Sequence, residues 1–354
     1  MKESLLYQVS YYLVYLELTL TIVFTLALAT SAALARWRRT RHDRLSSAGR
    51  EVLARAIAEG TADDAGIATF ARLPWTVQQE LVHEFGGALT GSGRERLTAL
   101  GARAGVTARA EAMCTSLWWW NRLAGARVLT ALDHDAAVMR PLLRDRSAVV
   151  RAQAFVWAAG RDDDAIIDEL VSRLADPARL CRFTVQDSLL RLGRPAATAL
   201  CRFLSDPQRP GLVDALSVAR GLGQPELLEP TLALAAHPTP EVRARSASVL
   251  GVLGGERAVG ALTAQLHDDD ASVRAAAARA LGELGAWTAC SALLRLLEDS
   301  SWPVRRESAL SLRRMGGAGL LTLRRALAAE NPFAADMARQ VLDLPESVYV
   351  QVTV

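Results

Sequence analysis

"LHDDDASVRAAAARALGELG" spans residues 266–285 and reads as a turn followed by one helix that stops at a glycine. Val273, Ala277, Ala280, Leu281 and Leu284 fall at the three-and-four spacing of a single helix face. Just upstream, Val259, Leu262 and Leu266 give a shorter stripe, so 258–285 reads as a pair of helices. The pattern returns in "LEDSSWPVRRESALSLRRMG" (297–316) and "AAHPTPEVRARSASVLGVLG" (235–254). Further upstream it recurs in "LADPARLCRFTVQDSLLRLG" (174–193) and "LRDRSAVVRAQAFVWAAG" (143–160). The turn residues Asp145, Asp176, Asp206, His237, Asp268, Asp299 and Asn331 are spaced by 31, 30, 31, 31, 31 and 32 residues. Such a fixed period marks a repeat array, in which each unit is too small to bury its apolar face alone and stacks on its neighbours. Gly193, Gly223, Gly254, Gly285 and Gly316 stand at the matching position, where a left-handed C-cap is needed to close a helix.

Asp145/Val150/Arg151, Asp268/Val273/Arg274 and Asp299/Val304/Arg305 share a turn Asp, then Val-Arg five and six residues on, then an alanine-rich helix. Asp176/Cys181/Arg182 departs only at the valine. This pattern resembles the HEAT repeats, in the short bacterial form called phycobilisome-lyase-like. The expected fold is all-α: a right-handed α-solenoid of HEAT-like helix pairs over 117–344, preceded by a single transmembrane helix. In that family the turn Asp and the Arg form a ladder between adjacent repeats. The resemblance therefore implies structural roles for Asp145, Arg151, Asp176, Arg182, Arg243, Asp268, Arg274, Asp299 and Arg305. The unit at 206 has Gly211 and Leu212 where Val-Arg would stand, and two prolines, so a kink or a gap in the ladder is expected there. The last unit is altered too, with Asp336 and Met337, as the terminal cap of an array would be.

At the other end, "YYLVYLELTLTIVFTLALATSAALA" (11–35) is long enough to cross a bilayer. Tyr7, Tyr11, Tyr12 and Tyr15 crowd its start and Trp37 closes its end, as aromatic belts do at the two interfaces. Charge follows the same division: residues 1–35 sum to −1, 36–50 to +5 and the rest to −1. Positive flanks stay in the cytoplasm, so the expectation is a single pass through the cytoplasmic membrane. Residues 1–10 then lie outside, 11–36 span, 37–50 form a basic juxtamembrane segment, and the array lies in the cytoplasm. A cleaved signal peptide is the competing reading, since Ala33-Leu34-Ala35 fits a cleavage pattern; against it, the positive charge comes after the apolar run. Glu17 sits about one turn inside the span, either facing a partner helix or snorkelling to the outer headgroups.

Between anchor and array, 51–116 is helical in pattern without the repeat signature, and 345–354 is a tail whose "SVYVQVTV" abandons helical spacing. The tail is either frayed or able to add a strand to a partner's sheet edge. Four distant cysteines without a pairing pattern read as reduced, mostly buried thiols. The near-neutral body argues against a nucleic-acid footprint. No metal or catalytic constellation emerges, and no cofactor is implied. His83-Glu84 lacks the second histidine of a zinc helix, and it is the one His-Glu pair where the HEAT-like deoxyhypusine hydroxylases carry several. Asp162–Asp164 and Asp268–Asp270 sit in inter-helix turns, where aspartate caps helices. The phycobilisome lyases use such repeats to hold a tetrapyrrole and its acceptor protein, an activity that a transmembrane anchor does not suit. The expected function is thus a membrane-tethered, non-enzymatic scaffold for partner proteins at the inner membrane face, a membrane enzyme or envelope-assembly component being the class of partner. The alternative is a ligand- or cofactor-handling HEAT protein, lyase-like or a sensor, with an aromatic pocket.

Partner-binding candidates are Glu17, Trp119 and Trp120. In "LWWWNRLAGARVLTALD" (117–133) Arg122 aligns with Arg274, and the buried stripe runs through Asn121, Gly125, Val128, Leu129 and Leu132. Extended one turn upstream, that stripe puts Leu117 and Trp118 in the core. Trp119 and Trp120 then project to either side, and packing on helices of 75–115, partner binding and membrane-surface contact stay open for them.

Overall fold

The computed structural model describes residues 2–59, 63–135 and 137–345, so the strand-forming tail lies outside the described residues, as does the side chain of Glu17. The chain divides into two compact units, Met1–Ala136 and Ala137–Val354. No strand occurs among the described residues.

The first unit begins with a single 58-residue helix, α1 (Lys2–Glu59). Its apolar part is long and apolar enough to cross a membrane and is not buried against the rest of the chain. Beyond it, Ser46, Gly49, Leu53 and Ala56 turn inward at helical spacing and seat α1 on a small helical body. That body comprises α2 (Asp64–Ala71), α3 (Trp75–Ala88), α4 (Ser92–Arg103), α5 (Val106–Cys114) and α6 (Trp119–Ala131). Its core holds Leu53, Phe70, Leu81, Leu97, Leu129 and Leu132, none with measurable exposure. Removing each such side chain from water is worth roughly 1.5–3 kcal/mol. Helix α6 approaches its neighbours closely because Gly86 of α3 faces the backbone of Ala131 and Gly125 faces that of Ala110.

The second unit is a row of helix pairs. After two 3₁₀ turns, Ala137–Met139 and Pro141–Arg144, come α7 (Ala148–Ala158), α8 (Asp164–Ser172), α9 (Arg179–Leu192) and α10 (Arg194–Leu204). They are followed by α11 (Leu212–Leu222), α12 (Leu228–Leu234), α13 (Pro240–Leu253) and α14 (Glu256–Gln265). The row ends with α15 (Ala271–Glu283), α16 (Cys290–Arg295), α17 (Trp302–Arg314), α18 (Gly317–Ala326) and α19 (Pro332–Asp343). Odd-numbered helices pack on odd-numbered neighbours, α13 on α15 and α15 on α17 most extensively. The even-numbered first helices form a second layer, as where α8 meets α10. The core between layers is aliphatic: Leu250, Leu262, Leu281, Leu293 and Leu312 are fully buried beside Ala247, Ala277 and Ala309. Alanine on the second helices permits this close approach, and each unit leans on the next for burial.

Turn chemistry follows the sequence. Backbone φ is positive at Gly193, Gly223, Gly254, Gly285 and Gly316, all between 58° and 69°, where a side chain would be strained. Only some of these have full left-handed geometry: Gly223 does (ψ 28°), while Gly193, Gly254 and Gly316 swing on into extended backbone that launches the next helix.

Candidate functional site

The turn aspartates and helix arginines meet in a repeating arrangement. Arg151 donates from Nε and Nη2 to the two carboxylate oxygens of Asp176, both at 2.8 Å. Arg243 does so with Asp268 at 2.7 Å, and Arg274 with Asp299 at 2.8 and 2.9 Å. In each case Nη1 turns back to the carbonyl of the arginine's own turn, that of Asp145, His237 or Asp268. The carboxylate also accepts the backbone N–H two residues on, as Asp145 does from Ser147 and Asp268 from Asp270. Arg243 and this N–H hold the Asp268 carboxyl below its ordinary range. For Asp176 and Asp299 burial is the largest influence and pushes upward, and the bonds from Arg151 and Arg274 together with the backbone N–H groups of Ala178 and Ser301 outweigh it, so both carboxyls end below their ordinary range.

The arrangement breaks where the sequence departs. Arg182 keeps its bonds to the carbonyls of Asp176 and Pro177, but its guanidinium lies 3.9 Å from Asp214 on α11, while Asp206 pairs with Arg209. At the next step both partners are replaced, Leu212 standing for the arginine and His237 for the aspartate. His237 accepts the Thr239 N–H at Nδ1 and donates from Nε2 to the Pro207 carbonyl, so the turn is closed without charge. Losing both members together avoids leaving either unpaired and half-buried. At the end of the row Arg305 faces Asn331 instead of aspartate and lies over the Phe333 ring, 4.7 Å from its centroid.

The tryptophans are placed otherwise than the extended stripe implies. Helix α6 starts at Trp119, and Trp118 is its N-cap residue with extended backbone. Trp118, Trp119 and Trp120 are 59%, 45% and 49% exposed, and Leu117 95%, so Trp118 is a surface residue and not part of the core. Trp118 and Trp120 stack with centroids 4.6 Å apart, and Trp119 meets Trp120 edge-on at 6.0 Å. The reason is register: regular second helices begin three residues before the arginine, at Ala271 before Arg274, which leaves no helical turn upstream of Trp119 to carry the stripe. The three rings form an exposed cluster with no enclosed pocket.

A different feature gathers charge. The outer faces of α11, α13, α15 and α17 enclose a groove of ≈ 320 Å³ lined by five arginines (Arg220, Arg245, Arg279, Arg306, Arg314) and two glutamates, Glu283 and Glu307. Arg279 donates to Glu307 at 2.9 Å from one helix to the next, and Arg306 takes the other oxygen at 2.9 Å. Arg220 reaches across α13 to Glu283 of α15 at 3.3 Å, over the small Ser248. Arg245, exposed on α13, has no ion-pair or hydrogen-bond partner among the described residues. Such a row of guanidiniums suits carboxylates, which they engage two oxygens at a time. These arginines escape notice in a chain with 41 basic residues. They occupy five different positions after the turn residue (7, 8, 11, 14 and 15), so no recurring motif marks them, and it is the stacking of the second helices that gathers them. Among the described residues no group of three His, Cys, Asp or Glu side chains is arranged to hold a metal ion.

The family model for HEAT repeats matches residues 260–343, the segment that carries the Arg274–Asp299 step. These units are HEAT repeats. No curated protein sequence is significantly similar to the chain. Solved structures similar to this chain include an engineered protein, at 16% identity over 81% of this chain and 90% of that one, with a TM-score of 0.35. The complex of CpcE and CpcF of phycocyanin lyase from Nostoc sp. PCC7120 is similar at 17% identity over 67% of this chain and 93% of that one, TM-score 0.31. Human deoxyhypusine hydroxylase in complex with glycerol is similar at 18% identity over 86% and 97%, TM-score 0.26.

Proposed function

We propose that this chain is a membrane-anchored HEAT-repeat scaffold, without catalysis of its own, that binds an acidic segment of a partner protein at the cytoplasmic face of the membrane. Helix α1 supplies the anchor, with residues 1–10 outside and the repeats inside. The observation that carries the reading is the groove across α11, α13, α15 and α17, where five arginines line the walls against two glutamates and the exposed Arg245 is left without a partner among the described residues. An open, charged groove spanning several repeats fits an extended protein segment; an enclosed apolar pocket would have favoured a small ligand. Tethering raises the effective concentration of the scaffold for partners in the same membrane.

The test is photocrosslinking in native membranes from a probe placed at Ala276 in the groove, with and without Arg245→Glu. A defined crosslinked protein that disappears in the charge-reversed chain is the expected result. A crosslinking pattern indifferent to Arg245→Glu would remove the groove as the binding face.

A further inference from the structure

The exposed tryptophan cluster lies at the end of the first unit from which the apolar part of α1 departs. Three sets of contacts establish its direction. Helix α3 runs in the same sense as α1: His42 meets Glu80 at 2.6 Å, and Arg50, eight residues on, meets Glu84 at 3.1 Å. Helix α6 runs in the same sense as α3. At the start of α3 Trp75 lies under Arg109 of α5, and Arg109 neighbours Ala110, whose carbonyl faces Gly125 of α6. At the end of α3 Gly86 faces Ala131. The N-terminus of α6 therefore points toward the N-terminal, apolar part of α1. Trp75 precedes Glu80 by as many residues as Trp37 precedes His42, about 7 Å of helix. Trp119 and Trp120 stand a further turn or more beyond Gly125 in that direction, so the cluster reaches the level of Trp37 at the end of the apolar run.

Chemistry at that level agrees. Leu117, Trp118, Trp119 and Trp120 present an apolar, N–H-bearing surface of the kind that settles at the headgroup boundary. At about the same level on α1, Arg36, Arg38, Arg39 and Arg44 are exposed with no ion-pair partner among the described residues, and Arg41 lies over the Trp37 ring. That charge complements anionic headgroups. Arg122 donates to the carbonyls of Ser116 and Leu117, which fixes the loop that displays the rings.

We propose that Leu117–Trp120 is a second membrane contact of this chain, seated in the interfacial layer of the same bilayer face from which α1 emerges. It rests on the reading of α1 as a membrane span and deepens it. Two contacts, helix and wedge, would fix the tilt of the first unit on the membrane where one helix alone leaves it free to swivel.

The experiment is tryptophan fluorescence of the full chain reconstituted in phosphatidylcholine/phosphatidylglycerol vesicles whose acyl chains carry bromine close to the headgroup. Wild type is compared with Trp37→Phe and with Trp118→Phe/Trp119→Phe/Trp120→Phe. The inference expects brominated lipid to quench the Trp37→Phe chain nearly as strongly as wild type, and the triple variant at less than half the wild-type extent. Quenching that disappears with Trp37→Phe alone would overturn the second contact while leaving the anchor intact, and would return the cluster to a protein partner. No quenching in wild type would overturn the anchor and the wedge together.

Discussion

Arg243 on α13 closes on Asp268 of the following turn through two hydrogen bonds of 2.7 Å, while its third nitrogen holds the carbonyls of its own turn. One side chain thus joins two successive turns and the helix between them. Because a guanidinium is rigid and planar, the distance it spans is fixed. The same geometry at Arg151 and Arg274 makes consecutive second helices stack at one spacing. The interaction acts as a gauge of repeat spacing as much as an attraction.

Removing one partner strands the other. In the Arg274–Asp299 pair the side chains are only 15% and 8% exposed, so Arg274→Ala should cost about 2–4 kcal/mol, largely from the unpaired Asp299. Arg274→Met with Asp299→Leu should cost clearly less than the two single changes added. Chemical denaturation of the four chains measures the difference, and strict additivity would contradict a coupled pair.

These pairs also set an acid limit. The hydrogen bond from Arg144 is the largest influence on Glu169 and holds its carboxyl down to about 2, and Arg243 lowers Asp268 in the same way. A carboxyl whose pKa is lower in the folded chain contributes stability that is complete above its unfolded value, about 4.3 for glutamate, and is lost as pH falls through the folded one. The thermal midpoint should therefore decline between about pH 4.5 and 2. Arg144→Gln should soften that decline, since it removes the principal cause of the Glu169 depression. An unchanged profile in that variant would count against it.

How much of this was legible beforehand depended on what repeats. The turn residues at 145, 176, 268 and 299 and the arginines six positions later recur, and the helix pairs follow from them. Trp118 was misplaced because a stripe read along Asn121 and Gly125 says nothing of where the helix begins; the N-cap at Trp118 decides that. The charged groove was hidden for the opposite reason. Arg220, Arg245 and Arg279 are exposed and Arg306 half-buried, each at a different position of its repeat, so no recurring letter marks them and only the packed helices bring them to one groove.

Close helix approach gives a stability prediction of opposite signs at two glycines. A Cβ on Gly125 would run into the Ala110 carbonyl oxygen and lie 2.9 Å from the Cys114 sulfur. Gly125→Ala should thus cost about 1–3 kcal/mol by overpacking. Gly260, inside α14, has open space around it, and Gly260→Ala should gain about 0.4–1 kcal/mol by restricting the unfolded chain. Thermal unfolding of the two variants should bracket the parent.

The thiols should react in order of access. Burial pushes the Cys114 thiol up to about 12 and raises Cys181 and Cys290 as well, whereas Cys201 is half-buried on α10. Iodoacetamide near pH 8 should label Cys201 first in the native chain, the others following only on unfolding. Peptide mapping after timed labelling reads this directly. Early modification of Cys114 would show that α5 and α6 separate readily.

The groove arginines should separate binding from folding. Arg245 is exposed and unpartnered among the described residues, so Arg245→Glu removes no internal contact and should leave the unfolding free energy within about 0.5 kcal/mol of the parent. Glu307 is the opposite case: 7% exposed, it takes both Arg279 and Arg306. Replacing it by Gln should cost about 1–2 kcal/mol, a figure held down because Arg279 is more than half exposed and screened. The same change frees two guanidiniums in the groove and should strengthen retention of the chain on a polyglutamate column, with an effect that fades as salt rises. Arg245→Glu should weaken that retention at unchanged stability. If both substitutions altered stability alike and retention not at all, the charges on α13, α15 and α17 would be internal struts, and the groove would lose its claim to a partner.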